Sequence, residues 1–231
     1  MRIPTYLAII FSLILTMPSY AAEGGGSGGG VSQQQPMKRL TPEEKAVASY
    51  QKGIKHRDKA AKYELQSVDE MSDKKFAKLR KKIDKQYGRA VDDYEDAVGH
   101  YPRFYQAYSS LGYALRKLGQ YEESLATYNQ TLEINPYYDE AIEYRGEAYL
   151  GLNQLDEAKG AYMELFQSDR VLADQLMAAM LSWVAARRDD ADGLDTAVVE
   201  HFAEWVEQRN ELASYVQPTN SDATGHWSES R

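Results

Sequence analysis

Ligation, nucleophilic attack and proton transfer all need particular side chains, and in this 231-residue chain such side chains are few and scattered. Cysteine is absent, which excludes disulfides, thiolate nucleophiles and Cys-ligated zinc. The four histidines, His56, His100, His201 and His226, show no HExxH or other metal-pair spacing. Asp189, Asp190, Asp192 and Asp195 crowd one stretch but lack the spacing and terminal glutamate of a calcium-binding loop. No GxSxG elbow, phosphate-binding glycine loop or dinucleotide fingerprint occurs, and the glycine-rich run at 24–30 is flanked by neither strand nor helix. These residues predict a non-enzymatic protein that uses no metal and no cofactor.

What the side chains do offer is charge, unevenly distributed. Residues 37–89 carry 16 Lys and Arg against 8 Asp and Glu, whereas residues 90–231 carry 10 against 26. The basic part is interleaved with acids and the larger remainder is acidic, which argues against a nucleic-acid partner. Hydrophobic residues at 43% and charged residues at 27% are ordinary for a soluble globular protein. With only seven prolines among many Ala, Leu, Glu, Lys and Tyr, the composition favours helices.

The ends are read as lying outside the fold. Met1-Arg2, an apolar run from Tyr6 to Met17, and Ser19 and Ala21 at the −3 and −1 positions predict a cleaved secretory leader over 1–21. The run is shorter than the ~20 apolar residues that cross a bilayer, so no stable membrane anchor is expected after cleavage. The expected location is therefore periplasmic or secreted. Residues 22–40, rich in Gly, Ser and Gln, are read as a flexible linker, and residues 217–231, polar and unpatterned apart from Trp227, as a disordered tail.

Between the ends the chain repeats itself. Residues 105–138 overlay residues 139–172 without a gap, at a period of 34. The register sets Gly112 on Gly146, Leu118 on Leu152, Tyr121 on Leu155, Ser124 on Ala158 and Tyr128 on Tyr162. The first segment resembles the tetratricopeptide repeat (TPR) through Tyr108, Leu111-Gly112, a turn at Gly119, then Tyr121, Ser124, Tyr128 and Pro136. Small residues at 112 and 124 let two antiparallel helices touch, and Tyr108, Leu111 and Tyr128 fill the seam. The second segment keeps Gly146, Tyr149, Ala158 and Tyr162, but has Arg145 and Arg170 where the family usually has leucine and proline. The expected fold is all-α, a short TPR-type α-solenoid of antiparallel helix pairs.

Upstream, residues 41–104 are read as a first pair with an insertion. Thr41-Pro42-Glu43-Glu44 is a capping box with proline at the first helical position. Residues 87–102 match the second helix of a repeat, yet Gly53 and Ala90 lie 37 apart where the repeat has 12. If both helices lengthen equally, by three to four turns, the turn falls midway, between Met71 and Ser72. Phe76, Leu79, Ile83, Tyr87, Ala90, Tyr94 and Ala97 then form one apolar face of a long helix begun by Ser72. The resulting hairpin is a basic arm whose candidate contact residues are Lys74, Lys75, Lys78, Lys81 and Lys82. Downstream, residues 173–216 predict a divergent last pair. Leu176, Ala179, Met180, Trp183 and Val184 would form its first packed face, and Val198, Val199, Phe202, Trp205, Val206 and Leu212 its second. Glu200, Glu204, Glu207 and Glu211 would supply the polar outer face that a solenoid end needs.

The resemblance implies a function as well as a fold. In this family the first helix of each pair lines a concave groove that holds an extended peptide or a partner's helix. The groove positions correspond to Gln106, Ser109, Tyr113, Arg116 and Lys117 in one repeat, and to Glu140, Glu143, Glu147 and Leu150 in the next. Arg116 and Lys117 would pair a peptide's carboxylates, Tyr113 would offer flat contact area, and Glu143 and Glu147 would favour a basic segment. The expectation is a protein-binding scaffold of the bacterial cell envelope. The alternative is a glycan-binding module in which exposed tyrosines, Tyr137, Tyr138 and Tyr144, stack on sugar rings.

Overall fold

The computed structural model describes residues 39–66 and 71–215. The expected leader and tail, and the expected linker except for its last two residues, lie outside the described residues. Among those described there are eight α-helices and no strand: α1 Pro42–Glu64, α2 Asp73–His100, α3 Tyr105–Lys117, α4 Tyr121–Ile134, α5 Asp139–Gly151, α6 Leu155–Ser168, α7 Arg170–Asp189 and α8 Thr196–Tyr215. Each packs on its neighbour in the chain, and α3 with α5 and α5 with α7 also touch. This is an all-α, TPR-type helical repeat.

The period of 34 is visible atom by atom. Gly112 and Gly146 are buried where helices cross: an added Cβ at 112 would lie 2.5 Å from Thr127 Oγ1 and 2.6 Å from the Tyr128 ring, and one at 146 would lie 2.6 Å from Leu176. Ser124 and Ala158, the matching small residues of α4 and α6, are fully buried, as are Tyr128 and Tyr162. The turns repeat too. Gly119 has φ +79°, and Asn153, 34 residues on, has φ 58°. Asparagine tolerates the left-handed region better than other non-glycine residues, so the repeat keeps its turn without the glycine.

Arg145 and Arg170, which depart from the family pattern, tie helices together instead of filling the seam. The Arg145 guanidinium donates to Asn129 Oδ1 on α4 at 3.2 Å. Arg170 donates to the Ala213 carbonyl on α8 at 2.7 Å and lies 4.3 Å over the Phe166 ring. Proline is not needed to stop α6, because Asp169 ends it and starts α7, accepting from the Val171 and Leu172 amides at 2.8 and 3.0 Å.

The first pair differs from the expected equal hairpin. The capping box is formed: Glu44 N donates to Thr41 Oγ1 at 3.1 Å and Thr41 N to Glu44 Oε2 at 2.9 Å. However, α1 stops at Glu64, whereas α2 runs for 28 residues, twice the length of α4. Tyr87 donates to Glu64 at 3.1 Å, and the Lys82 ammonium lies 5.7 Å from the Tyr63 ring centre. The end of α1 therefore sits opposite residues 82–87, and the first turns of α2 run past it. That overhang leaves Phe76, expected on the apolar seam, 51% exposed. Ser72 begins α2 as expected, though its side chain makes no capping hydrogen bond.

At the other end Leu176, Met180, Trp183, Val184, Val199, Phe202 and Val206 are buried together. Trp183 Nε1 donates to the Leu150 carbonyl at 2.9 Å, anchoring α7 on α5. Val198 and Leu212, expected in this core, are exposed: α8 packs on α7 and, through Trp205 edge-on to Tyr162, on α6, and its buried stripe is narrower than the sequence suggested.

Candidate functional site

The first helices of successive pairs, α1, α3, α5 and α7, line two neighbouring recesses. One, of about 280 Å³, is bounded by Tyr50 and Arg57 of α1, Ser109, Ser110 and Tyr113 of α3, and Tyr138 and Tyr144 from the start of α5. Apart from Arg57 its polar groups are hydroxyls, and the Ser110 hydroxyl donates to the Tyr50 hydroxyl at 3.4 Å. The second, of about 760 Å³, is bounded by charged groups that include Glu64, Arg80, Arg116, Lys117, Glu147 and Arg187, with Trp183 at its side.

Between the recesses lies a charge cluster. Arg116 is ion-paired with Glu147, and its guanidinium sits 5.4 and 5.5 Å from the ring centres of Tyr113 and Tyr144. Burial disfavours the Arg116 charge more than any single neighbour favours it, but Glu147, Tyr128 and Glu143 together outweigh that cost and hold the guanidinium more firmly protonated than usual. Glu143 precedes Glu147 by one turn of α5 and is only 2% exposed. Burial first, and then the nearby Glu147 carboxylate, push the Glu143 pKa up to about 9 against the opposing pull of Arg116. Burial thus favours the neutral form of Glu143, and it also pushes the Tyr144 phenol up to about 12.

Of the residues expected to line the groove, Ser109, Tyr113, Arg116, Lys117, Glu147 and Leu150 border a recess. Gln106 is half-buried in the first turn of α3 and Glu140 is exposed in the first turn of α5, and neither borders one. Leu150 is 4% exposed and mainly a core residue. The charges do not stand ready for a partner as the sequence suggested. Arg116 is taken by Glu147, Lys117 by Glu64 at 2.9 Å, and Glu143 is buried, which favours its neutral form. Of the three tyrosines proposed for sugar stacking, two are differently placed. Tyr137 is 90% exposed, but Tyr138 meets Tyr105 edge-on at 5.2 Å and Tyr144 meets Tyr113 edge-on at 5.5 Å. The arm lysines, Lys74, Lys75, Lys78, Lys81 and Lys82, are all exposed and border neither recess, although Arg80 on the same arm borders the second and donates to the Lys117 carbonyl at 3.4 Å.

Sequence reasoning missed Tyr50, Arg57 and Glu64 of α1 and Trp183 and Arg187 of α7. The signal for α1 was present: Tyr50 and Gly53 are spaced like Tyr108 and Gly112 less one residue, which marks α1 as a groove-lining helix. For α7 no repeat pattern survives to give a register.

Residues 105–138 match the tetratricopeptide repeat family, so the chain carries a tetratricopeptide repeat across α3 and α4. Over 108 residues, 47% of this chain, it is 30% identical to the Hsp70-Hsp90 organising protein of Plasmodium falciparum. Over 51 residues, 22% of this chain, it is 39% identical to small glutamine-rich tetratricopeptide repeat-containing protein 2 of Mycosarcoma maydis. The matched stretches span 40% and 14% of those two proteins' lengths. Among solved structures, the first TPR of Spaghetti (RPAP3) bound to an HSP90 peptide is 21% identical, with 58% of this chain and 94% of that chain covered and a TM-score of 0.39. MamA is 20% identical, with 71% and 97% covered and a TM-score of 0.38.

Proposed function

We propose that this chain is a non-enzymatic, protein-binding scaffold whose concave face holds a peptide or helix of another protein. The observation that carries the reading is the pair of recesses lined by the first helices of successive repeats, with aromatic and hydroxyl groups in one and ion-paired charges in the other. Such a surface suits an extended polypeptide: tyrosine rings give contact area at low entropic cost, and hydroxyls accept and donate to a peptide backbone. Because Arg116 and Lys117 already have acidic partners, the groove contributes orientation and a preference for mixed charge more than raw attraction. Similarity to a protein named as an organiser of Hsp70 and Hsp90 supports a role in holding proteins together. The leader-like residues 1–21 support a place in the bacterial cell envelope, periplasmic or secreted.

Photo-crosslinking tests this. A photoreactive amino acid replaces Ser110 in the groove or, as control, Glu133 on the exposed side of α4, and envelope extract is irradiated with each. The reading expects one polypeptide adduct, formed from position 110 and absent from position 133. Adducts from 133 alone, or a polysaccharide adduct with no protein, contradict it.

A further inference from the structure

The cations of α3 to α8 differ from the lysines of α1 and α2, which no ion pair holds among the described residues. In α3 to α8 most are ion-paired: Arg116, Lys117, Arg145, Lys159, Arg170, Arg187 and Arg188 each have a carboxylate within 4 Å. On α2, Lys74, Lys78, Lys81 and Lys85 are exposed and no ion pair holds them among the described residues. Their spacing of four, three and four residues puts all four on one face of the helix, spread over about 17 Å at 1.5 Å per residue. That face points away from the buried stripe of Leu79, Ile83, Tyr87, Ala90 and Tyr94, so it cannot turn onto the chain's own core.

The last helix carries the negative of this pattern. Glu200, Glu204, Glu207 and Glu211 on α8 are all exposed and are also spaced by four, three and four residues. Arg188 of α7 bridges Glu200 and Glu207 at 2.7 and 3.0 Å, which holds two of the carboxylates in place, and Glu204 and Glu211 have no cationic partner among the described residues. The two stripes sit on the first and last pairs of the solenoid: α2 packs on α1 and α3, and α8 on α7 and α6.

We propose that the α2 lysine stripe of one copy docks on the α8 glutamate stripe of a second copy, joining chains head to tail. The occupant follows from charge and spacing: a row of opposite charge with the same spacing, two of its four carboxylates shared with Arg188, is present on this same chain, on the last pair of the solenoid. The contact is heterologous, so each chain keeps one free stripe and the assembly is open-ended unless its rotation closes a ring. It also leaves both recesses clear, so it goes beyond the scaffold reading and does not depend on it. The formal charge of −8 repels like copies overall, so attraction acts only where the stripes meet.

Sedimentation velocity on the full chain tests the proposal. The average sedimentation coefficient should rise with protein concentration at about 0.1 M salt, where screening acts over ~10 Å, and fall to the single-chain value at about 1 M salt, where it acts over ~3 Å. One variant carries Lys74→Glu, Lys78→Glu, Lys81→Glu and Lys85→Glu; the other carries Glu204→Lys and Glu211→Lys, which spares the Arg188 pairs. Each alone should stay single, and an equimolar mixture should associate again, because each supplies the stripe the other has reversed. Circular dichroism checks the helix content of both, and Lys→Gln or Glu→Gln versions replace any variant that unfolds. A single-chain wild type at about 0.1 M salt overturns the proposal. So does association that survives high salt, persists in either variant alone, or fails to return on mixing.

Discussion

Arg116 on α3 and Glu147 on α5 are ion-paired across the seam between two successive repeats, at the boundary of the two recesses. The pair stitches the groove floor together, and it determines what a partner meets there. Its neighbour Glu143, on the same face of α5, completes a unit of two carboxyls and one guanidinium that carries no net charge while Glu143 holds its proton.

Removing one member should cost more than removing both. Arg116→Met leaves the Glu147 carboxylate facing a buried acid with no cation, and is expected to destabilise by about 2–3 kcal/mol, below the 3–5 of a fully buried pair because Glu147 is partly solvated. The double variant Arg116→Met with Glu147→Met should be closer to wild type than Arg116→Met alone. Urea denaturation of the three proteins measures it.

Stability should fall as pH rises through the Glu143 window. The folded-state pKa is raised from the usual 4.5 to about 9, so between those values the folded chain keeps a proton that the unfolded chain has released. This contribution is intact below about pH 4.5 and is lost progressively towards about pH 9. Glu143→Gln, which cannot ionise, should gain stability relative to wild type as pH rises, read as a growing gap between their urea midpoints.

Two glycines should respond oppositely to alanine. At Gly112 a Cβ would meet Thr127 and the Tyr128 ring at about the length of a clash, so Gly112→Ala should cost about 1–3 kcal/mol. At Gly160, exposed within α6, nothing lies within 4 Å of an added Cβ, and Gly160→Ala should stabilise by about 0.5–1 kcal/mol. Thermal melts of the two single variants separate the outcomes.

The fold was legible where one residue type has one physical reason. Gly112, Gly146, Ser124 and Ala158 are small because helices cross there, and that alone gives the period and the pairing. The unequal first hairpin was not legible, because the midpoint rule assumes that both helices lengthen by the same amount, whereas α2 overruns α1 and exposes Phe76. The site was half legible. The repeat register found Tyr113, Arg116 and Glu147, but not that Arg116 and Glu147 are partners 31 residues apart, since sequence spacing says nothing of which charges meet across a seam. Nor does a glutamate on a helix reveal its burial: Glu143 reads as solvated and is a core residue.

The central claim is that the groove holds the partner, and the affinity of the crosslinked polypeptide for three forms of the chain tests it most directly. Ser110→Trp fills the smaller recess at the cost of the Ser110–Tyr50 hydrogen bond, and Lys74→Gln, Lys75→Gln, Lys78→Gln, Lys81→Gln and Lys82→Gln together remove five charges of the arm. By calorimetry, Ser110→Trp should weaken binding at least about tenfold, equivalent to ~1.4 kcal/mol, while the arm variant binds like wild type. Loss of binding in the arm variant with full affinity in Ser110→Trp would contradict the account and move the working surface from the concave face to the arm.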